Sequence, residues 1–262
     1  MKALDYSLAL YKIARYEMLE KLRTQPVEFE QAVDDMASVI RKQGFVVLED
    51  YYTDEKCDAI RKDMDRLHEV NKEKIFVDPT SADKRMFGAN LHSELINDFW
   101  EDPFLNKIRD YYYQTTDFVG CTLAARIDAV KDNIGSGAGW HRDTIYGTQL
   151  KAILYLSDVD EGQGPFQYLS QTHNYSSKLD AIKHCGIRFN QNRLDDDIVN
   201  KLLEKDPYEL ITFTAKKGTL LLVDTTGIHR GKPLTDKFRY ALTNYWFVKK
   251  MPPHIEALIV KK

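Results

Sequence analysis

The sequence predicts a mainly β protein with flanking helices: a helical front over residues 1–115 and an antiparallel β barrel over 116–250. Three observations predict it. Apolar residues recur near helical spacing through the first 115 positions. From Phe118 onward they gather into short runs bounded by turn residues, as in a barrel or sandwich. No repeat, low-complexity tract or linker interrupts the 262 residues, so the chain reads as one domain, 1–262, with a helical insertion at 175–204.

The elements follow in order. Leu4, Leu8, Leu10, Tyr11, Ile13, Met18, Leu19 and Leu22 predict a first helix. A second covers Val27 to Lys42 and stops at Gly44. Phe45-Val-Val-Leu48 is a short strand. Thr53 is the expected N-cap of a helix with Cys57, Ile60, Met64 and Leu67 on its apolar face. The pattern then breaks at Asp78-Pro-Thr-Ser81, leaving Lys74 to Asn90 a turn-rich connection. Helices follow at Ser93 to Trp100 and, opened by proline, Pro103 to Gln114. Strands are expected around Val119, Thr122, Leu123 and Ile127, then at Ala152–Leu156, Leu210–Thr214, Thr219–Val223 and Tyr240–Val248. Tyr175 to His184 and Leu194 to Leu203 read as the helical excursion.

Composition excludes several classes. Forty-three per cent hydrophobic and 29 per cent charged residues describe an ordinary globular chain able to bury a core. Thirty-seven basic against 40 acidic residues leave a net charge of −3, which makes no electrostatic case for nucleic acid or an anionic membrane. No apolar run reaches membrane-spanning length, and the N-terminus has no signal-peptide core. Cys57, Cys121 and Cys185 are odd in number and far apart, so they are expected to be reduced and packed in a cytoplasmic protein. A small-molecule partner is the remaining expectation.

Chemistry concentrates in Gly135-Ser-Gly-Ala-Gly-Trp140-His141-Arg142-Asp143-Thr144. If this stretch is extended, His141 and Asp143 share one face and Arg142 takes the other. A His-x-Asp triplet is common by chance, and its bland reading is a surface histidine beside a solvated aspartate. His229 changes the weighing. It follows the strand Leu220-Leu-Leu-Val-Asp224 and the turn Thr225-Thr-Gly227, which would place it at a barrel mouth. Two neutral imidazoles and one carboxylate form the facial triad that holds Fe(II) with three positions open. A 2-oxo acid takes two of these and O2 the third, and Arg239, at the start of the last strand, can grip the acid's far carboxylate.

At His141-Arg-Asp143, Ser157-Asp-Val-Asp-Glu-Gly-Gln-Gly164-Pro, Ser170-Gln-Thr-His173, His229-Arg-Gly-Lys-Pro and Arg239, the sequence resembles the phytanoyl-CoA dioxygenase family of Fe(II)/2-oxoglutarate oxygenases. Gly44-Phe-Val-Val-Leu48 and the next helix extend the likeness to roughly residues 35 to 250. The resemblance implies a double-stranded β-helix, a jelly-roll, cupin-like barrel. It also implies Fe(II) on His141, Asp143 and His229, and 2-oxoglutarate on Arg239. O2 and a small substrate would then give succinate, CO2 and an oxidised product. The chain departs from the family's Pro-Gly-Ser-His at Ser170–His173, and has Gly231 where a small hydroxyl residue is common. Asp143 argues for hydroxylation over halogenation, since halogenating members are expected to lack that carboxylate.

Other residues have two readings each. Lys151, Ile153 and Tyr155 alternate onto one strand face, so Lys151 or Tyr155 either reaches 2-oxoglutarate or the substrate, or is an ordinary strand residue. Arg126 either faces the pocket or is solvated. His173 is expected to be structural, and His68, His184 and His254 to be surface or loop residues; His92 has no assigned place. Lys84-Arg85 is expected to be a solvated turn, with an acidic-substrate contact as the alternative. Trp140 packs under the loop or shapes the pocket. Tyr111-Tyr-Tyr113 is packing, since no basic cluster accompanies it. Asp195-Asp-Asp197 opens a helix and has no site role. The polar segment Tyr175 to Leu203, with Arg188 to Arg193, is a candidate lid that favours a polar metabolite. Two rival readings stand beside the oxygenase: a non-catalytic barrel that binds a ligand or partner, and a Zn(II) or Mn(II) isomerase or hydrolase.

Overall fold

The computed structural model describes residues 2–23 and 31–261. Its helices are α1 (Lys2–Arg23), α2 (Gln31–Gln43), α3 (Asp54–Val70), α4 (Glu94–Trp100), α5 (Pro103–Tyr113), α6 (Tyr175–Asp180), α7 (Asp196–Leu203) and α8 (Pro253–Glu256). The strands are β1 (Phe45–Leu48), β2 (Phe76–Val77), β3 (Asp83–Phe87), β4 (Phe118–Asp128), β5 (Leu150–Tyr155), β6 (Phe166–Leu169), β7 (Leu210–Phe213), β8 (Leu220–Asp224), β9 (His229–Gly231) and β10 (Phe238–Val248). The expected start of the second helix at Val27 lies outside the described residues.

Helix starts follow local chemistry. Thr53 accepts a hydrogen bond from the Lys56 amide, Ser93 from Ile96, and Asp195 from Ile198. Each side-chain oxygen satisfies an amide that has no intrahelical partner. Asp102 caps α5, with Pro103 in its first turn. Gly44 ends α2 with φ of 99°, and a Cβ there would lie 2.2 Å from the Tyr168 hydroxyl. Both the turn and the close approach therefore require glycine.

A seven-stranded sheet runs β1-β8-β5-β10-β4-β3-β2, and a three-stranded sheet runs β7-β6-β9, with every pairing between named strands antiparallel. Both faces of the large sheet contribute core residues, and strand alternation separates them. Leu150, Ala152, Leu154, Leu220, Leu222, Leu242 and Trp246 join one core with Ile40, Ile60, Met64, Ile96, Phe99 and Leu105 of the helices. Ile153, Tyr155, Leu221, Val223 and Ala241 turn the other way, into a core shared with Phe166, Tyr168 and Phe213 of the small sheet.

β3 corrects the reading of Lys74 to Asn90 as a turn-rich connection. Asp83–Phe87 pairs with β4 from Asp83↔Ile127 to Phe87↔Leu123, a tertiary pairing that overrides the local turn signal at Asp78–Ser81. α1 differs in a second way: Ala9, Ile13 and Asp5 are its buried residues, while Leu4, Tyr11, Met18 and Leu22 are exposed. Ala9 packs into the core of the 175–204 insertion, which gathers Ile182, Ile187, Leu194, Val199 and Leu202 around Trp140. The three cysteines are free, Cys57 and Cys121 buried and Cys185 half-buried. Among the described residues no helix is long and apolar enough to cross a membrane.

Candidate metal centre

The glycine loop delivers His141 to His229. Gly135, Gly137, Ala138 and Gly139 all take positive φ, and a Cβ on Gly137 would sit 2.2 Å from the His141 ring. The backbone can therefore lie against the imidazole only if that residue is glycine. His141 and His229 then exchange both backbone hydrogen bonds, each 2.9 Å, as an isolated antiparallel bridge. Arg193 of the insertion closes over the loop, donating to the carbonyls of Gly137 and Ala138 at 2.8 and 3.0 Å.

Both imidazoles are held in one tautomer. His141 Nδ1 lies 2.9 Å from the Gly139 carbonyl, and His229 Nδ1 lies 3.0 Å from the Gly227 carbonyl. A carbonyl accepts only, so each Nδ1 carries the proton and each Nε2 keeps a lone pair. Asp143 completes the group: its Oδ1 is 3.8 Å from His141 Nε2, and its Oδ2 is 3.8 Å from His229 Nε2. One ligand atom from each of the three residues falls within 4.8 Å of the others, a set that can hold a metal ion.

Electrostatics keep the three donors deprotonated at their ligand atoms. Burial, and then the neighbouring His141, push the His229 imidazole down to about 3, and burial also lowers His141. Both are therefore neutral near pH 7. Burial alone would raise the Asp143 carboxyl, but Lys151 and the two histidines outweigh it and hold the group well below its usual range. Lys151 Nζ lies 2.5 Å from Asp143 Oδ2 and 3.9 Å from the centre of the Tyr245 ring.

A cavity of about 340 Å³ opens from these three residues across the inner face of the large sheet. Register explains its lining. Tyr155, Ala241, Ala125 and Arg85 form one row across four strands, and Ile153, Thr243, Leu123 and Phe87 form the next. Arg239 lines the cavity at 6 per cent exposure. Its Nη1 is fully buried and has no partner among the described residues. Burial lowers its pKa by more than Tyr155 and Asp83 nearby raise it. Tyr155, also in the wall, accepts from the Phe166 amide at 2.9 Å.

Gly231 has a reason here. A Cβ at that position would come within 2.6 Å of Ser136 Cβ and 3.1 Å of Arg239 Nη2. The space is taken by Ser136, whose hydroxyl accepts from Arg85 Nη2 at 3.0 Å.

The structure sorts the remaining candidates. His141, Asp143, His229, Arg239, Lys151 and Tyr155 all line the one cavity. Arg142 is buried at 1 per cent exposure with two unpartnered nitrogens. Arg126 pairs with Asp65 and Asp128 outside the cavity. His173 is structural, with Nε2 against the Arg41 carbonyl, and His92 contacts the Val260 carbonyl. His68 is buried rather than exposed, because position 68 follows Met64 by four on the inner face of α3, and its Nε2 meets the Ala124 carbonyl. Trp140 donates to Asp196 at 2.8 Å and lies under Arg230, tying the loop to α7. Arg85, expected in a solvated turn, instead lines the cavity, gripped by Asp83 through Nε at 2.9 and 3.0 Å. Only its pairing onto β4 reveals this, and no local signal carries it.

The non-catalytic barrel predicts His141 and His229 far apart and Arg239 pointing outward. The ring centres are 4.3 Å apart, and Arg239 points inward.

Comparisons with known proteins agree with the geometry. The family model for phytanoyl-CoA dioxygenase (PhyH) matches residues 40–241. No curated protein matches the chain. Among solved structures, EctD from S. alaskensis in its apoform superposes with a TM-score of 0.63 at 13 per cent identity, covering 91 per cent of this chain and 85 per cent of that one. The epimerase SnoN from nogalamycin biosynthesis, in complex with Fe3+, alpha ketoglutarate and nogalamycin RO, gives 0.60 at 14 per cent identity, covering 83 and 84 per cent. HygX from Streptomyces hygroscopicus, with nickel, 2-oxoglutarate and hygromycin B bound, gives 0.55 at 17 per cent identity, covering 82 and 86 per cent. Identities this low carry the fold alone: a double-stranded β-helix of the cupin-like kind with flanking helices.

Proposed function

We propose, from the premise that this chain belongs to the phytanoyl-CoA dioxygenase family of Fe(II)/2-oxoglutarate oxygenases, that it hydroxylates a small polar metabolite with release of succinate and CO2. The observation that carries the reading is the pairing of the three-residue metal group with an unpartnered buried Arg239 in one cavity. A buried guanidinium without an acid is costly, and a carboxylate ligand would offset that cost.

His141, Asp143 and His229 are the proposed metal ligands, and Arg239 the anchor for the far carboxylate of 2-oxoglutarate, with Tyr155 beside it and Lys151 at the metal end. Fe(II) with 2-oxoglutarate, when bound, supplies O2 activation strong enough to attack an unactivated C–H bond. The chain's own contribution is orientation. The Gly139 and Gly227 carbonyls aim both Nε2 lone pairs, and Arg239 presents N–H donors that can bind a carboxylate side-on. Phe166, 5.3 Å from the His229 ring, helps keep water from the buried ligand.

The insertion supports a polar substrate. It covers the glycine loop through Arg193, and Asn192 and Arg193 line the cavity. Hygromycin B and nogalamycin RO, bound to the two neighbours, are natural products, which favours that class here. Other oxidative outcomes are open to the same site, since SnoN is an epimerase. A metabolite screen with Fe(II) and 2-oxoglutarate tests the reading: succinate should rise with at least one polar compound and with none for His229→Ala. Robust turnover of an acyl-CoA alone would refute the polar preference. Tight Fe(II) and 2-oxoglutarate binding by a His141→Ala/His229→Ala protein would sink the site assignment.

A further inference from the structure

We infer that Lys151 is a positioning residue for Asp143: its ammonium occupies one carboxylate oxygen and leaves the other as the single donor to the metal. The inference rests on the metal-ligand reading above and deepens it.

The geometry is asymmetric. The two carboxylate oxygens stand equally far from the imidazoles, Oδ1 at 3.8 Å from His141 and Oδ2 at 3.8 Å from His229, but only Oδ2 has Lys151 Nζ at 2.5 Å. Lys151 has little freedom to leave. It is 5 per cent exposed, and it sits opposite Tyr245 in the β5–β10 register with its ammonium over that ring. Among the described residues, Asp143 is the one acid within ion-pairing distance of it.

Asp143 itself has room to turn. It lies in the wall between the metal cavity and a second cavity of about 440 Å³ beside Tyr16, Thr148 and Trp246, and its side chain is 25 per cent exposed. The terminal torsion of an aspartate is broad, so packing alone does not choose which oxygen faces the metal.

Coordination chemistry makes that choice matter. Three protein donors on a six-coordinate ion leave three positions, two for the 2-oxo acid and one for O2. A carboxylate gripping through both oxygens would fill a fourth position and block one of these. An ammonium this close also repels a metal ion. Its place beside a ligand therefore serves the orientation of that ligand rather than raw affinity for the ion.

The test uses Co(II) as the metal probe and 2-oxoglutarate as the ligand, on wild type, Lys151→Met, Lys151→Arg and Tyr245→Leu. Visible absorption of bound Co(II) reports its coordination number. Lys151→Met should change that spectrum before any 2-oxoglutarate is added, and should then weaken 2-oxoglutarate binding roughly tenfold, the usual scale for losing an outer partner of a ligand. Lys151→Arg, which keeps a cationic donor, should restore the wild-type spectrum. Tyr245→Leu unseats the ammonium without removing it and should shift the spectrum partway. It decides the matter if Lys151→Met does not fold. An unchanged Co(II) spectrum in both Lys151→Met and Tyr245→Leu overturns the inference. So does weakened 2-oxoglutarate binding with an unchanged metal spectrum, which would put Lys151 on the co-substrate directly. A wild type that takes up no Co(II) overturns the metal-ligand reading instead, a different result from either.

Discussion

On β5, Leu150, Ala152 and Leu154 enter the core packed against the helices, while Lys151, Ile153 and Tyr155 face the cavity. β10 divides in the same way, with Leu242 and Trp246 on the helical side and Arg239, Ala241, Thr243 and Tyr245 on the other. One backbone thus carries stability on one face and chemistry on the other, one residue out of step. The helical face admits an acid at its end, Asp224, where the Tyr112 hydroxyl of α5 donates to it at 2.7 Å. The cavity face retains Arg239 buried with an unpartnered Nη1, a local cost of the kind proteins bear at binding sites.

If the two faces are separable, substitutions should fall cleanly on one side. His229→Ala should abolish metal binding by calorimetry with Mn(II), and retained stoichiometric binding would break the assignment. Leu222→Ala, on the helical face and fully buried, should cost about 2–5 kcal/mol in denaturant unfolding while leaving 2-oxoglutarate affinity of the folded protein unchanged. A large fall in that affinity would mean that the faces are coupled. Arg239→Met should weaken 2-oxoglutarate about a hundredfold, on the order of 2–3 kcal/mol for a lost charge-assisted pair. Its melting temperature without ligand should be unchanged or higher, because an unpaired buried cation has been removed.

A pH series sharpens the comparison at a second buried cation. Lys178 is 2 per cent exposed, and burial, with Arg142 nearby, pushes its pKa down to about 7. The folded value lies below the unfolded one near 10.4, so the unfolded chain binds more protons between them. Stability from this residue is complete above the unfolded pKa and is lost as pH falls through about 7. Lys178→Met should therefore flatten the rise in stability between pH 7 and 9, a difference on the order of 2 kcal/mol. Parallel profiles for the two proteins would contradict it. The smallest effect is expected at Thr53→Ala, about 1 kcal/mol for a lost helix cap, read by thermal unfolding with no change in metal affinity.

Much of this was legible in the chain because it depends on short-range pattern. Thr53 and Pro103 mark helix starts, and alternation puts Lys151 and Tyr155 on one face. His141, Asp143, His229 and Arg239 meet in one cavity because each sits at a strand or loop position with a readable local signal. Arg85 was hidden because Asp83–Phe87 becomes a strand only by pairing with β4. Its neighbours in sequence look like a turn. Ser136 was hidden for the same kind of reason: its meeting with Gly231 joins two loops far apart in the chain. His68 illustrates the opposite error, since charged neighbours on α3 masked a position that helical spacing assigns to the core.

The backbone bridge between His141 and His229 bears on how this protein meets its metal. Two main-chain hydrogen bonds set the spacing of the imidazoles, and carbonyls tether each ring at Nδ1. In small zinc domains, by contrast, the ion itself draws the chain together. A set of two imidazoles and a carboxylate ranks divalent ions by the ordinary affinity series, with copper and nickel above iron. Choice among ions at such a donor set then falls to geometry and supply rather than to raw affinity.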